Sequence, residues 1–344
     1  MIDNGLDTAT AITGTGTITV SADGDVVIGR LVTNNTTDNA VRVTSTSGAI
    51  VDGGDTDVWD IEALGGGAAA VHLKAETGIG DGNALEIRAT TITGDTHLND
   101  VEIFNNSNGA DVLVPSLTTT EGDIVFTQAG GGDIFFVWVN AHGHGNGNFG
   151  EVHLANTGNN ADIYVGDIFS TTTITITADG SILNDGLWVA NNILPDGIAG
   201  TDISGENVFL TALHETIGVW GMPVEVQVDG VGALRVFAGG MQHGWLSVNL
   251  QGLEPWSLVP NTGIPGIVLY NVAGPGRIIR DGGSAALFDS NMTRQYFQAT
   301  AQDSAWLATE PEPYALFLDI FGDAVFAPYP DLYSVEGVQP NKDE

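Results

Sequence analysis

Cysteine is absent from all 344 residues, so disulfides and thiolate metal sites are excluded and no redox compartment is implied. Basic residues are scarce: 9 Lys and Arg stand against 43 Asp and Glu, a formal net charge of −34. Duplex nucleic acid and anionic membrane would be repelled, and no basic patch offsets this. No run of about 18 apolar residues exists to span a bilayer. Met1 is not followed by the basic stretch and apolar core of an export signal. A 3.6-residue hydrophobic period of helical length is missing too. So are the Gly-x-Ser-x-Gly elbow, the phosphate-binding loop, the HExxH helix and the dinucleotide fingerprint. The chain is therefore expected to be non-catalytic.

What is present is strand and corner chemistry. Gly contributes 47 residues without a triplet period, which excludes collagen. Thr, Val and Ile favour strands, and Asn, Asp and Gly tolerate tight or left-handed corners. With 42% hydrophobic residues the chain can bury a core, so global disorder is not expected.

Two phrases recur. TSTSGAIVDGGD (Thr44–Asp55) returns as TADGSILNDG (Thr177–Gly186) and PGRIIRDGG (Pro275–Gly283). LVTNNTTDNAVRV (Leu31–Val43) returns as IFNNSNGADVLV (Ile103–Val114) and LANTGNNADIYV (Leu154–Val165). VHLKA, ETGIGDGN and ALEIRATTI in residues 71–92 also parallel VFLTA, HETIGVWGMP and VEVQV in residues 208–228. Residues 48–93 and 180–231 are accordingly read as diverged copies of one multi-coil block. Strand–corner–strand units that cannot bury an apolar face alone imply a stack. Strand starts spaced by about 9–12 residues predict two or three strands per coil of roughly 20–30 residues. The expected fold is all-β: a right-handed, single-stranded parallel β-helix over residues 11–250. Residues 251–338, rich in aromatics and interrupted by Pro311, Pro313, Pro328 and Pro330, are expected to form an irregular cap or assembly region, with one residual coil near 275–283. A β-sandwich array is the rival architecture.

Asn34, Asn35, Asn105, Asn106 and Asn156 are the candidates for a corner ladder, their amides stacking along the axis. The densest acidic corner, DGGDTDVWD, offers Asp52, Asp55, Asp57 and Asp60 as a candidate site for a hard cation such as Ca²⁺, although the spacing fits neither the helix–loop–helix calcium loop nor the nonapeptide calcium ladder. His142, His144 and His153 form a second, weaker candidate metal set of imidazole nitrogens. No other cofactor is expected. With 43 acids some carboxylate pair is inevitable, so glycoside hydrolysis is not assigned from pairs alone. Arg277, Arg280 and Arg294 are the only basic concentration to meet an acidic sugar.

GAIVDGG, VHLKAETGIGDGNALEIRA and GSILNDG followed by VFLTALHETIG resemble the long β-strand-repeat exoproteins related to filamentous haemagglutinin. The resemblance covers roughly residues 11–250 and does not reach the aromatic C-terminal region. It implies a right-handed β-helix and a stalk or filament segment of a large bacterial adhesin, extracellular or on the cell surface. The implied partners are further copies end to end, the rest of a larger parent protein, or a host or matrix glycan or protein. The family's secretion domain has no counterpart here, so the export route stays open. The alternative is a glycan-binding or glycan-cleaving β-helix of tailspike-like or lyase-like type.

Overall fold

A computed structural model describes residues 8–54, 59–143, 150–186, 201–218 and 224–238, with short strands at 246–251, 267–269, 276–280, 284–288, 316–318 and 324–326; side chains are described from Ala9 to Gln227. The strands between residues 8 and 288 belong to one 23-stranded sheet. Every pairing in it is parallel until residues 276–280 meet 284–288 antiparallel. Parallel neighbours need a long crossover, and here the crossover is the remainder of each coil. The chain is a parallel β-helix, and the two facing antiparallel sheets of a sandwich are excluded.

Three faces follow one another in the central coils, exemplified by residues 112–114 (face A), 117–121 (face B) and 124–129 (face C). Apolar residues stack in columns through successive coils. Face A superposes Val112, Ile134, Ile163 and Ile182. Face B superposes Leu117, Val139, Ile168, Ile203 and Val226. Face C superposes Val101, Ile124, Val152, Ile174 and Val208. All of these side chains are fully buried. Each is worth about 1.5–3 kcal/mol for leaving water. Alternation supplies the columns: in Ile124–Ala129 and Thr173–Ala178 every second residue points inward. The step to the partner one coil later varies from 18 residues (Leu85 to Ile103) to 35 (Ile168 to Ile203), the excess being absorbed in corners.

The repeated phrases do not mark equivalent positions. Val71 lies beneath Ile92 in the stack that continues into face B, whereas Val208 lies on Ile174 in face C. Ile79 bridges Ile50 and Val101 on face C, whereas Ile217 bridges Ile182 on face A. Leu85 pairs with Ile103 on face C, but Val226 pairs with Ile203 on face B. The first two later units are advanced by one face and the third by two, so residues 48–93 and 180–231 are not copies separated by whole coils. What recurs is a local strand–corner–strand unit.

Corners fit their residues closely. A Cβ on Gly132 would overlap the carbonyl oxygen of Ala110, and one on Gly122 would overlap that of Asn99. The GGGAAA stretch turns at its glycines, and Ala69 and Ala70 fold back into the core, Ala70 opening the next strand. Most of the proposed cap at 251–338 lies outside the described residues. Within it, residues 276–280 continue the parallel stack on 246–250. Among the described residues, no helix is long and apolar enough to cross a membrane.

Candidate functional site

Eight aspartates hold the same place in the fold. Asp25, Asp60, Asp100, Asp111, Asp123, Asp133, Asp162 and Asp202 each precede a Val or Ile that opens an inward-facing strand. The backbone ladder of a parallel pair begins at that Val or Ile: the N–H of Val101, for instance, donates to the carbonyl of Asp123. The N–H of the residue one coil onward would otherwise fall just outside the ladder. The carboxylate below accepts it. Asp100 takes the N–H of Asp123 at 2.8 Å, and Asp123 takes that of Glu151 at 2.7 Å. Asp111, Asp133 and Asp162 continue the pattern to Asp133, Asp162 and Ser181 at 3.2, 2.9 and 2.6 Å. Asp25, Asp60 and Asp202 do the same for Ala49, Glu86 and Glu225 at 2.9, 2.9 and 2.7 Å. This Asp-Ile/Val dipeptide is plain in the sequence; reading aspartate only as surface charge or cation ligand hides it.

Stacking brings like charges together. Burial, then the neighbouring Asp133 and Glu215, push Asp162 up to about 6. Burial dominates at Asp202, pushed up to about 8 with Asp185 and Glu225 adding to it. Asp100 and Asp133 are raised for the same reasons, burial first and then the next carboxylate in the run.

The amide ladder forms with two of the expected members, Asn105 and Asn156, and a third, Gln128, between them. Asn105, Gln128 and Asn156 lie on three successive coils of face C, fully buried. Asn105 Nδ2 donates to Gln128 Oε1 at 2.6 Å and to Ala89 O at 3.1 Å, while its Oδ1 accepts the Ala89 N–H. Gln128 Nε2 donates to Ser107 Oγ at 2.8 Å. Asn156 Nδ2 bridges the carbonyls of Gly132 and Asp162, both at 3.0 Å. Asn35 stands in another corner, where its amide reaches Thr17 at 3.1 Å and its Oδ1 accepts from Thr37. Asn34 is exposed. Asn106 caps its own turn by accepting the Asn108 N–H at 2.9 Å. Neither of these two is a rung.

The acidic corner is only partly the predicted one. Asp55 and Asp57 lie outside the described residues, whereas Asp52 and Asp60 converge with Glu86, a residue the sequence does not single out. Oxygens of these three carboxylates lie within 4.8 Å of one another. Parallel register makes the meeting: residues 50–52 and 61–63 sit side by side on residues 26–33, and Ile61 pairs with Ile87 one coil on. Asp60 is completely buried. Its Oδ2 accepts the Glu86 N–H, but its Oδ1 is buried and receives no hydrogen bond. Burial, then Asp52 and Glu86, push its carboxyl up to about 9. The guanidiniums of Arg30 and Arg88 go to Glu62 instead, at 2.8 and 3.3 Å. Arg88 also lies over the Trp59 ring, 4.6 Å from its centroid, and Trp59 stacks with Phe104 at 6.1 Å. A second carboxylate group, Asp81, Asp100 and Glu102, is exposed to half-buried.

The histidine set is not assembled among the described residues. His144 lies outside them, the exposed His142 ring lies tilted against Phe169 at 5.0 Å, and His153 pairs with Glu151 at 3.0 Å. Neither convergent carboxylate group contains a histidine.

No known protein family, curated protein or solved structure matches the chain.

Proposed function

We propose that this chain is a non-catalytic column, a stalk or filament segment of a larger extracellular or cell-surface adhesin. One observation carries the reading: polar groups in the coil interior and at the strand starts are turned along the axis to hold one coil on the next. The eight strand-opening aspartates and the Asn105–Gln128–Asn156 ladder all do this. A chain built so extends by adding coils, each resting only on its neighbours. From residue 8 to residue 238 face C and its precursors make ten levels. At about 4.8 Å per level they rise to roughly 45 Å. The charge of −34 supports the same role, since it opposes lateral clumping of a Thr-rich strand surface.

The glycan-cleaving alternative draws on the carboxylates grouped beside Trp59 and Phe104. Its weak point is Asp60: burial raises its carboxyl, but it is completely buried and has no surface to offer a sugar. The test is small-angle scattering of the purified chain over a concentration series. A rod of constant cross-section is expected, lengthening with concentration if the ends join into a filament. A globular particle, or turnover of a polysaccharide that D60N abolishes, would overturn the column reading.

A further inference from the structure

We infer that Asp52, Asp60 and Glu86 form a binding site for one Ca²⁺ ion, which ties three stretches of adjoining coils together. Two independent observations meet there. The first is convergence: three carboxylate oxygens from residues far apart in the chain, all within 4.8 Å, with Asp52 and Glu86 half-buried. The second is the state of Asp60. Its side chain is fully enclosed, and Oδ1 receives no hydrogen bond from any donor among the described residues. A buried carboxylate with one oxygen lacking a donor, grouped with two more carboxylates, requires a positive charge or a proton.

The neighbouring groups supply neither. Arg30 and Arg88 are paired with Glu62. The Asn83 amide donates to Asp52 Oδ2, and the Gly54 N–H donates to Asp52 Oδ1 at 3.0 Å, so these hydrogen bonds orient Asp52 without reaching Asp60. A hard cation with irregular coordination suits all-oxygen donors on corners better than Mg²⁺, which demands a near-ideal octahedron and keeps its waters. Asp60 is set apart by its orphan oxygen: Asp202 is buried too, but its Oδ2 accepts both the Glu225 N–H and the Asn184 amide. Asp100, Asp133 and Asp162 each retain an N–H bond but are only partly buried, so solvent reaches them. The exposed Asp81 group lacks a buried orphan and is not proposed as a site.

The competing occupant is a proton. A proton on Asp60 would fill the same gap at Oδ1. Ca²⁺ would then displace that proton, and binding would tighten as pH rises. Calorimetry at pH 7.5, in two buffers of different ionisation enthalpy and at fixed ionic strength, reads both events. The wild-type chain should bind one Ca²⁺ more tightly than the diffuse remainder, releasing about one proton. D60N and E86Q should each weaken that step on the order of tenfold or more, and D60N should release no proton. Tb³⁺ luminescence gives a second readout, since Trp59 adjoins Asp60 and W59F should dim the signal of this site alone. If D60N fails to fold, E86Q decides the question because Glu86 is half-buried. Equal Ca²⁺ binding by wild type and E86Q would mean an adventitious ion only and overturn the inference. Absence of any saturable Ca²⁺ step in the wild type would leave Asp60 as a buried acid and overturn it equally.

Discussion

Asp162 accepts the Ser181 N–H at 2.6 Å, while its own N–H is held by Asp133 at 2.9 Å. It is at once an acceptor the ladder needs and a charge its neighbours oppose. Two substitutions separate those roles. Asp162→Ala removes the acceptor and leaves the Ser181 N–H unpaired, so a loss of about 1–3 kcal/mol is expected in urea unfolding followed by circular dichroism. Asp162→Asn keeps an oxygen in place and removes the charge. At pH 8 it is expected to match or exceed the wild type in stability, and a loss as large as that of the alanine variant would refute the charge argument. Gln128 poses the complementary case. Gln128→Leu keeps the volume but strips partners from Asn105 and Ser107, both buried beside it. A drop of about 1–3 kcal/mol for each group left unsatisfied is expected in the same assay.

At the scale of the element, corners decide where strands lie. Gly132 is followed by Asp133, and its Cα passes so close to Ala110 that any side chain would strike the carbonyl. Gly132→Ala is therefore expected to cost about 1–3 kcal/mol through forced backbone displacement. Gly14→Ala, where nothing lies within 4 Å, should leave the melting temperature nearly unchanged. Comparable shifts in the two variants would show that the corner is looser than its geometry implies. These elements also show how much the sequence discloses. Alternation of small and β-branched residues made the coils legible, because a half-buried parallel strand requires it. Asn105 and Asn156 were legible as ladder rungs, but Gln128 between them was not, since a different amide breaks the visual repeat. The shift of the repeated unit from face to face was hidden for a physical reason: a corner phrase specifies a local turn, not the number of faces already passed. Glu86 was hidden likewise. Its approach to Asp52 and Asp60 depends on a register that spans 34 residues from Asp52, and no local pattern announces it.

The whole column inherits a pH dependence from its stacked carboxylates. Asp162 is pushed up to about 6, Asp202 to about 8 and Asp60 to about 9, while Asp100 and Asp133 are also raised. A raised carboxyl means that the folded chain binds more protons than the unfolded one. The stabilisation is then complete below the unfolded value near 3.9 and is lost as pH climbs through each folded value. Asp95 runs the other way, lowered by its partners Lys74 and Thr118 despite some burial, but it is a single half-exposed group. The expected result is a melting temperature highest near pH 4–5 that declines towards pH 9, in the absence of divalent cations. That slope is opposite to the acid denaturation of proteins whose carboxylates sit in salt bridges. Screening adds a control, because raising NaCl from about 0.01 to 0.15 M shortens the Debye length from roughly 30 to 8 Å. Salt should recover part of the loss at pH 8 and little at pH 4.5, where the run of charges is already reduced. A calorimetric melting temperature that rises steadily from pH 4 to pH 9 would contradict this. It would mean that the aspartate N–H bonds outweigh the mutual repulsion of the carboxylates making them.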